Sequence, residues 1–172
     1  MTNFKEDLKK VKAFAFDVDG VLSGNILLGN NGEQVRTMNM KDGYAIQLAV
    51  KKGFPVAIIT GAFCESIRTR FNNLGVKNIY IGSSDKKIDF IDFYTKNKID
   101  PQNILYMGDD IPDFEIMKIT GIPTCPCNAA EDIKNISKYI SGIKGGDGCV
   151  RDVLEQVMRA QGKWFDKDAF TW

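Results

Sequence analysis

Two aspartates stand two residues apart in Phe16-Asp17-Val18-Asp19-Gly20, where an apolar run gives out. A carboxylate at that point, Asp17, suits nucleophilic attack on phosphorus with formation of an acyl phosphate. A second one just beyond, Asp19, can turn back to protonate a leaving oxygen and then activate water. Taken alone, the pair also fits solvated acids in an Asp-Gly turn. A second acidic cluster, Gly108-Asp109-Asp110 with Asp113, follows another apolar run. Acids at a helix N-terminus are favourable by themselves, which accounts for Asp113 but poorly for four acids at the ends of two strands. Crowded carboxylates need a counter-charge. Mg²⁺ suits them because it is hard, takes oxygen ligands, and keeps positions open for water and phosphate. Thr60-Gly61 offers a hydroxyl and backbone amides ahead of a helix, a fit for phosphate oxygens or simply a cap. Lys86 opens a predicted helix, where its charge opposes the macrodipole. It makes better sense as the cation that neutralises a phosphoryl group and Asp17.

These residues need a scaffold that carries them to one edge. Apolar runs predict strands over residues 11–18, 55–59, 79–81, 104–107 and 122–125. Between them, helical periodicity predicts helices over residues 43–52, 64–74, 86–97 and 112–120, with a closing helix over 147–161. Strands alternating with helices argue for right-handed βαβ units, hence an α/β Rossmann-like fold with a parallel sheet flanked by helices. Ligands in such sheets bind beyond the carboxyl ends of the strands. Asp17, Thr60, Lys86 and Asp109 each follow a different predicted strand. One segment breaks the alternation. Ile26-Leu27-Leu28, the turn Gly29-Asn30-Asn31-Gly32 and residues 33–39 predict a β-hairpin, about 24–40, whose apolar strand requires burial somewhere.

The 172 residues suit a single domain, 1–172, with a tail from about 162 to 172. The net charge of +1 supplies no field for nucleic acid or a membrane surface. No apolar run reaches the roughly 18–20 residues that span a bilayer, and residues 1–12 lack the apolar stretch of a signal peptide, so the expected location is the cytoplasm. The four cysteines, Cys64, Cys125, Cys127 and Cys149, are expected as thiols. The chain contains no histidine, which removes Ser-His-Asp and Cys-His catalysis and imidazole-based zinc sites.

Asp17-x-Asp19-Gly20-Val21, Ile58-Ile59-Thr60-Gly61, Asp85-Lys86 and Gly108-Asp109-Asp110-x-x-Asp113 together resemble, in order, the four motifs of the haloacid dehalogenase superfamily of phosphatases. With only a hairpin after Asp19 and no insertion of domain length, the chain resembles the cap-less members. Over nearly its whole length it is similar to the 3-deoxy-D-manno-octulosonate 8-phosphate phosphatase family. Shared features include Asp17 to Ser23, Gly29 to Glu33, Lys41-Asp42-Gly43-Tyr44, Gly145-Gly146 and Ala160-Gln161-Gly162-Lys163.

The resemblance implies a nucleophile at Asp17 and an acid/base at Asp19. It also implies Mg²⁺ on Asp17, the Asp19 carbonyl and Asp109, with Asp110 and Asp113 in support. Thr60, Gly61 and Lys86 would hold the phosphoryl group of a small sugar phosphate. Members of the family are tetramers whose hairpins pair, so that a neighbouring subunit replaces the cap, and their tail near 161–163 can enter a neighbour's site. Where the octulosonate enzymes carry Arg-Lys after Thr-Gly, this chain has Ala62-Phe63, and Asp147 stands where they carry arginine. Lys41, Arg68, Arg70 and Arg151 are the remaining cations expected to meet a substrate carboxylate. A nine-carbon keto-deoxy acid 9-phosphate is the alternative substrate. The rival from another class is a non-catalytic tetrameric module with the same fold.

Overall fold

Each central strand is a four-residue apolar run. β1 (Ala13–Phe16), β4 (Val56–Ile59), β6 (Ile104–Met107) and β7 (Ile122–Cys125) are buried at every position. A sheet covered on both faces selects such runs rather than polar–apolar alternation. With β5 (Asn78–Tyr80) and β8 (Tyr139–Ile140) they form one sheet of order β5-β4-β1-β6-β7-β8, parallel at every pairing. The computed structural model describes residues 4–171.

Alternate residues of each strand feed two cores. Phe14, Phe16, Val56, Ile58, Leu105 and Met107 face a layer containing α1 (Phe4–Asp7), α2 (Met40–Lys51), α3 (Glu65–Asn73) and α7 (Cys149–Ala160). Ala13, Ala15, Ala57, Ile59, Ile104 and Tyr106 face α4 (Lys86–Asn97), α5 (Phe114–Ile119) and α6 (Glu131–Ile136). The predicted parallel α/β architecture is therefore observed, with no cap domain. β1 lies at the centre, so its carboxyl end, where Asp17 begins, sits between the ends of β4 and β6.

The hairpin is present as β2 (Ile26–Leu28) and β3 (Gln34–Arg36), paired antiparallel and separate from the main sheet. Gly32 adopts φ +74° at the turn, a conformation that costs glycine little. Its apolar residues lie open: Leu27 is 59% and Leu28 74% exposed.

Several predicted boundaries move. α2 begins at Met40 rather than 43, because the Asn39 side chain accepts from the Lys41 N–H at 2.8 Å and caps the helix early. The predicted helix over 112–120 is a 3₁₀ turn, Ile111–Asp113, followed by α5. Three short elements, α1, α6 and β8, escaped the sequence patterns. The tail folds back on its own chain. Trp164 is buried, Arg151 stacks over its ring at 4.5 Å, and Lys52 binds Asp166 and Asp168, each at 2.6 Å. In this structure the tail residues thus pack on α2 and α7, not toward the cleft described next.

Candidate active site

Asp17, Thr60, Lys86 and Asp109 converge at the carboxyl edge of the sheet, lining a cleft of about 820 Å³ with Asp19, Gly61, Asp110 and Asp113. Asp17 leaves β1 as its backbone N–H donates to Met107 O at 3.1 Å, which fixes the residue between β1 and β6. Its side chain is buried. Oδ1 accepts from the Val18 N–H at 2.7 Å, and Oδ2 meets Lys86 Nζ at 2.8 Å. Burial pushes this carboxyl well up, and Asp113 adds to the rise, while Lys86 pulls it back. Lys86 is drawn down by burial, but Asp17 and Asp113 outweigh that and hold its ammonium above the usual lysine range.

Asp113 is fully buried and fully engaged. Oδ1 accepts from Lys86 Nζ at 2.8 Å and from the Tyr106 hydroxyl at 2.6 Å, while Oδ2 accepts from the Asp109 N–H at 3.0 Å. It therefore orders the loop after β6 and anchors Lys86. Asp110 caps the 3₁₀ turn, accepting from the Ile111 N–H at 2.8 Å.

The Asp109 carboxylate accepts no side-chain or backbone donor from another residue among those described. Burial raises it to about 7, helped by Asp113 and opposed by Lys86. Room for it comes from Gly20, which holds φ +87° and whose missing Cβ would overlap this carboxylate.

Oxygen atoms of Asp17, Asp109 and Asp113 lie within 4.8 Å of one another. Asp113 already spends its oxygens on protein donors. Asp17 and Asp109 are left as two under-neutralised carboxylates facing one point, a donor set that fits a hard divalent cation such as Mg²⁺. Among the described hydrogen bonds none uses the Asp19 carbonyl, which leaves it available beside them.

Thr60 is buried at the end of β4, its Oγ1 accepting from the Ala62 N–H at 3.2 Å. Its hydroxyl proton stays free for an anion. Ser83 Oγ, also on the cleft wall, is buried without any partner.

The expected substrate cations fare differently. Lys41 is exposed at the start of α2 and lines no part of the cleft. Arg68 lines a neighbouring cavity of about 350 Å³, donating to Ile79 O and Glu65, each at 3.2 Å. Arg151 is spent on Glu155, Tyr44 and Trp164. Arg70 lines a separate cavity under the hairpin. Ala62 borders the cleft, while Phe63 points to solvent at 84% exposure and neither narrows it nor fills a core. Sequence reasoning missed Tyr106, whose hydroxyl sits under Asp113. It also missed Arg36 of β3, whose guanidinium grips the Asp19 carboxylate at 2.7 and 2.9 Å. Period-two alternation in the hairpin puts Arg36 opposite Val35 in facing but does not reveal its partner.

No family model matches the chain. It is 37% identical over 163 residues to the 3-deoxy-D-manno-octulosonate 8-phosphate phosphatase of Salmonella typhi, spanning 94% of this chain and 87% of that protein. To the enzyme of the same description from Escherichia coli K12 it is 38% identical over 156 residues, 90% and 83% of the two chains. Among solved structures, the Yersinia pestis phosphatase of that name aligns with TM-score 0.89 and 33% identity, covering 93% of this chain and 87% of that one. The Moraxella catarrhalis enzyme, solved in complex with a magnesium ion, a phosphate ion and 3-deoxy-D-manno-octulosonate, aligns with TM-score 0.88 and 33% identity over 97% and 95%.

Proposed function

The chain belongs to the 3-deoxy-D-manno-octulosonate 8-phosphate phosphatase family of the haloacid dehalogenase superfamily, and from that premise we propose that it is a Mg²⁺-dependent phosphatase of a sugar-acid phosphate monoester, 3-deoxy-D-manno-octulosonate 8-phosphate first. The observation that carries the chemistry is the Asp17–Lys86–Asp113 triad beside an unpartnered Asp109. The Mg²⁺ ion, held by Asp17, Asp109 and the Asp19 carbonyl, would neutralise charge on the transferring phosphoryl group.

The chain's own residues do the rest. Lys86 holds Asp17 in place and offsets the charge of the incoming phosphoryl oxygens. The Asp17 oxygen that is not on Lys86 attacks phosphorus as the ester P–O bond breaks, and the departing alkoxide takes a proton from Asp19. The Thr60 hydroxyl and the nearby amides cradle the phosphoryl oxygens. In the second half, Asp19 removes a proton from water, which attacks the aspartyl phosphate and releases inorganic phosphate and a restored Asp17.

Purified protein tests this directly. Asp17→Asn should lower Mg²⁺-dependent turnover on the order of a thousandfold or more; full activity in that variant would end the proposal. In a panel of phosphate esters the octulosonate 8-phosphate should give the highest kcat/KM. A higher value for the nine-carbon 9-phosphate would move the substrate to that acid, and comparable turnover of simple hexose phosphates would remove the sugar-acid assignment.

We further infer a homotetramer assembled through the hairpin. Ile26, Leu27, Leu28 and Val35 are all exposed on a two-stranded ribbon with open edges, a surface that pairing with copies of itself would cover. The cytoplasmic placement belongs to the same proposal. It draws on the four unpaired cysteines, and no helix of the described residues is long and apolar enough to cross a membrane.

A further inference from the structure

The cleft has no free cation for the carboxylate of a sugar acid. Its lining cations are Lys86, which is bound to Asp17 and Asp113, and Lys87, which reaches Glu115 at 3.4 Å. A guanidinium that contacts a cleft residue is that of Arg36. It holds Asp19 in a two-point fork, Nε to Oδ1 at 2.7 Å and Nη2 to Oδ2 at 2.9 Å, and its side chain is only 6% exposed. Beyond it a cavity of about 410 Å³ opens between the hairpin and α3, lined also by Ser66 and Arg70.

This arrangement sets a conflict. The proton donor must aim at the leaving oxygen, yet both Asp19 oxygens are occupied as acceptors. Releasing Asp19 would leave a nearly buried guanidinium without its anion, with the neutral Gln34 Oε1 still accepting from Nη2 at 3.0 Å, which is costly unless another anion takes its place. A substrate carboxylate restores the same bidentate geometry, and the phosphoryl group, which could also do so, is assigned to Thr60 and Lys86.

We propose that Arg36 is the carboxylate-recognition residue of this enzyme, and that the substrate carboxylate takes its fork from Asp19 and frees Asp19 for proton transfer. The inference rests on the sugar-acid phosphatase assignment above. The exchange swaps one carboxylate for another on the same guanidinium, so it is close to balanced and reversible. Esters without a carboxylate leave Asp19 held and react slowly. Discrimination then appears in catalysis as well as in binding.

The test compares kcat/KM for octulosonate 8-phosphate and for glucose 6-phosphate in wild-type protein, Arg36→Met and Arg36→Lys. Arg36→Met should reduce the preference for the sugar-acid ester on the order of tenfold to a hundredfold. The loss should fall several-fold more heavily on that ester than on glucose 6-phosphate. Arg36→Lys keeps the charge without the fork and should fall between, and it serves in place of Arg36→Met should that variant fail to fold. Equal losses on both esters would make the ion pair a structural tether and overturn the proposal, as would an unchanged preference. Wild-type protein that hydrolyses both esters alike would instead remove the sugar-acid assignment on which the inference rests, and no turnover of either would remove the phosphatase assignment itself.

Discussion

Replacing Asp42 by asparagine should stabilise the protein at neutral pH and do so less and less as the solution is acidified. Asp42 is 1% exposed where the first turns of α2 and α7 meet. Oδ1 accepts from the Arg151 N–H at 2.6 Å, while Oδ2 is buried with no partner. Burial raises the carboxyl from 3.8 to about 6; the Arg151 N–H and guanidinium pull it down, and Asp147 pushes it up. A folded-state value above the unfolded one means that the fold prefers the protonated form. Its penalty is therefore absent below about pH 4, grows as pH rises, and is complete above about pH 6. A shift of about two units corresponds to a penalty of up to ~3 kcal/mol. Two helix N-termini favour the anion and reduce that figure, so a gain of about 1–3 kcal/mol is expected. Asparagine keeps the acceptor for Arg151 and leaves an unpartnered NH₂ where the protonated acid leaves an unpartnered OH. The two should match near pH 4.5 and diverge by pH 7.5, where the variant's melting temperature should be about 3–10 °C higher for a chain of this size. Thermal melts of both proteins at several pH values, without added metal, measure this. A variant less stable at pH 7.5, or a difference that does not change with pH, would show that the converging helix ends win over burial.

Gly20→Ala should lose Mg²⁺ affinity and turnover together, because the new Cβ overlaps the Asp109 carboxylate and φ +87° adds a backbone cost of about 1 kcal/mol or more; isothermal titration with Mg²⁺ and an activity assay read both effects. Lys86→Met removes the cation shared by Asp17 and Asp113, a loss of about 3–5 kcal/mol where the two charges stay buried. Its melting temperature should drop more in chelator than in excess Mg²⁺, and equal drops would count against a metal next to Asp17. Leu27→Asp places a charge on the open hairpin face and should convert the proposed tetramer to smaller species in sedimentation velocity, with the melt of the individual subunit little changed.

The parallel sheet was legible because its strands are buried on both faces and so appear as plain apolar runs. The residue following each run then marks the catalytic edge, which is why Asp17, Thr60 and Asp109 could be named together. Short elements were not legible, since β8 has two residues and α6 six, too few for a period to emerge. Asp113 was visible as an acid at a helix start but not as a buried hub, because its donors Lys86 and Tyr106 reach it only through the fold. Arg68 sits close in sequence to Thr60-Gly61, and Lys41 lies in a segment shared with the family, yet neither lines the cleft. Arg36 shows the opposite case: a bond across 17 residues joins an unremarkable hairpin arginine to the catalytic loop.

The same side chain does different work at each acidic position because its neighbours differ. Asp113 is saturated with donors and therefore acts as a fixed strut. Asp110 is committed to a cap. Asp19 is clamped by an arginine that a substrate anion can claim. Asp17 keeps one oxygen on Lys86 and the other on the Val18 N–H. Asp109, given space by Gly20, accepts no donor from another residue among those described, and with Asp17 it forms a pair whose charge Lys86 compensates only in part. A fold that wanted only stability would have supplied a donor there or an apolar residue, since a half-buried carboxylate without a donor is costly to keep. The deficit lies beside the cleft, where Asp17 and Asp109 would hold a divalent cation that supplies the missing positive charge. Relief of the repulsion in that pair is what a bound cation would supply, and Lys86 marks how far the protein itself goes toward neutralising it.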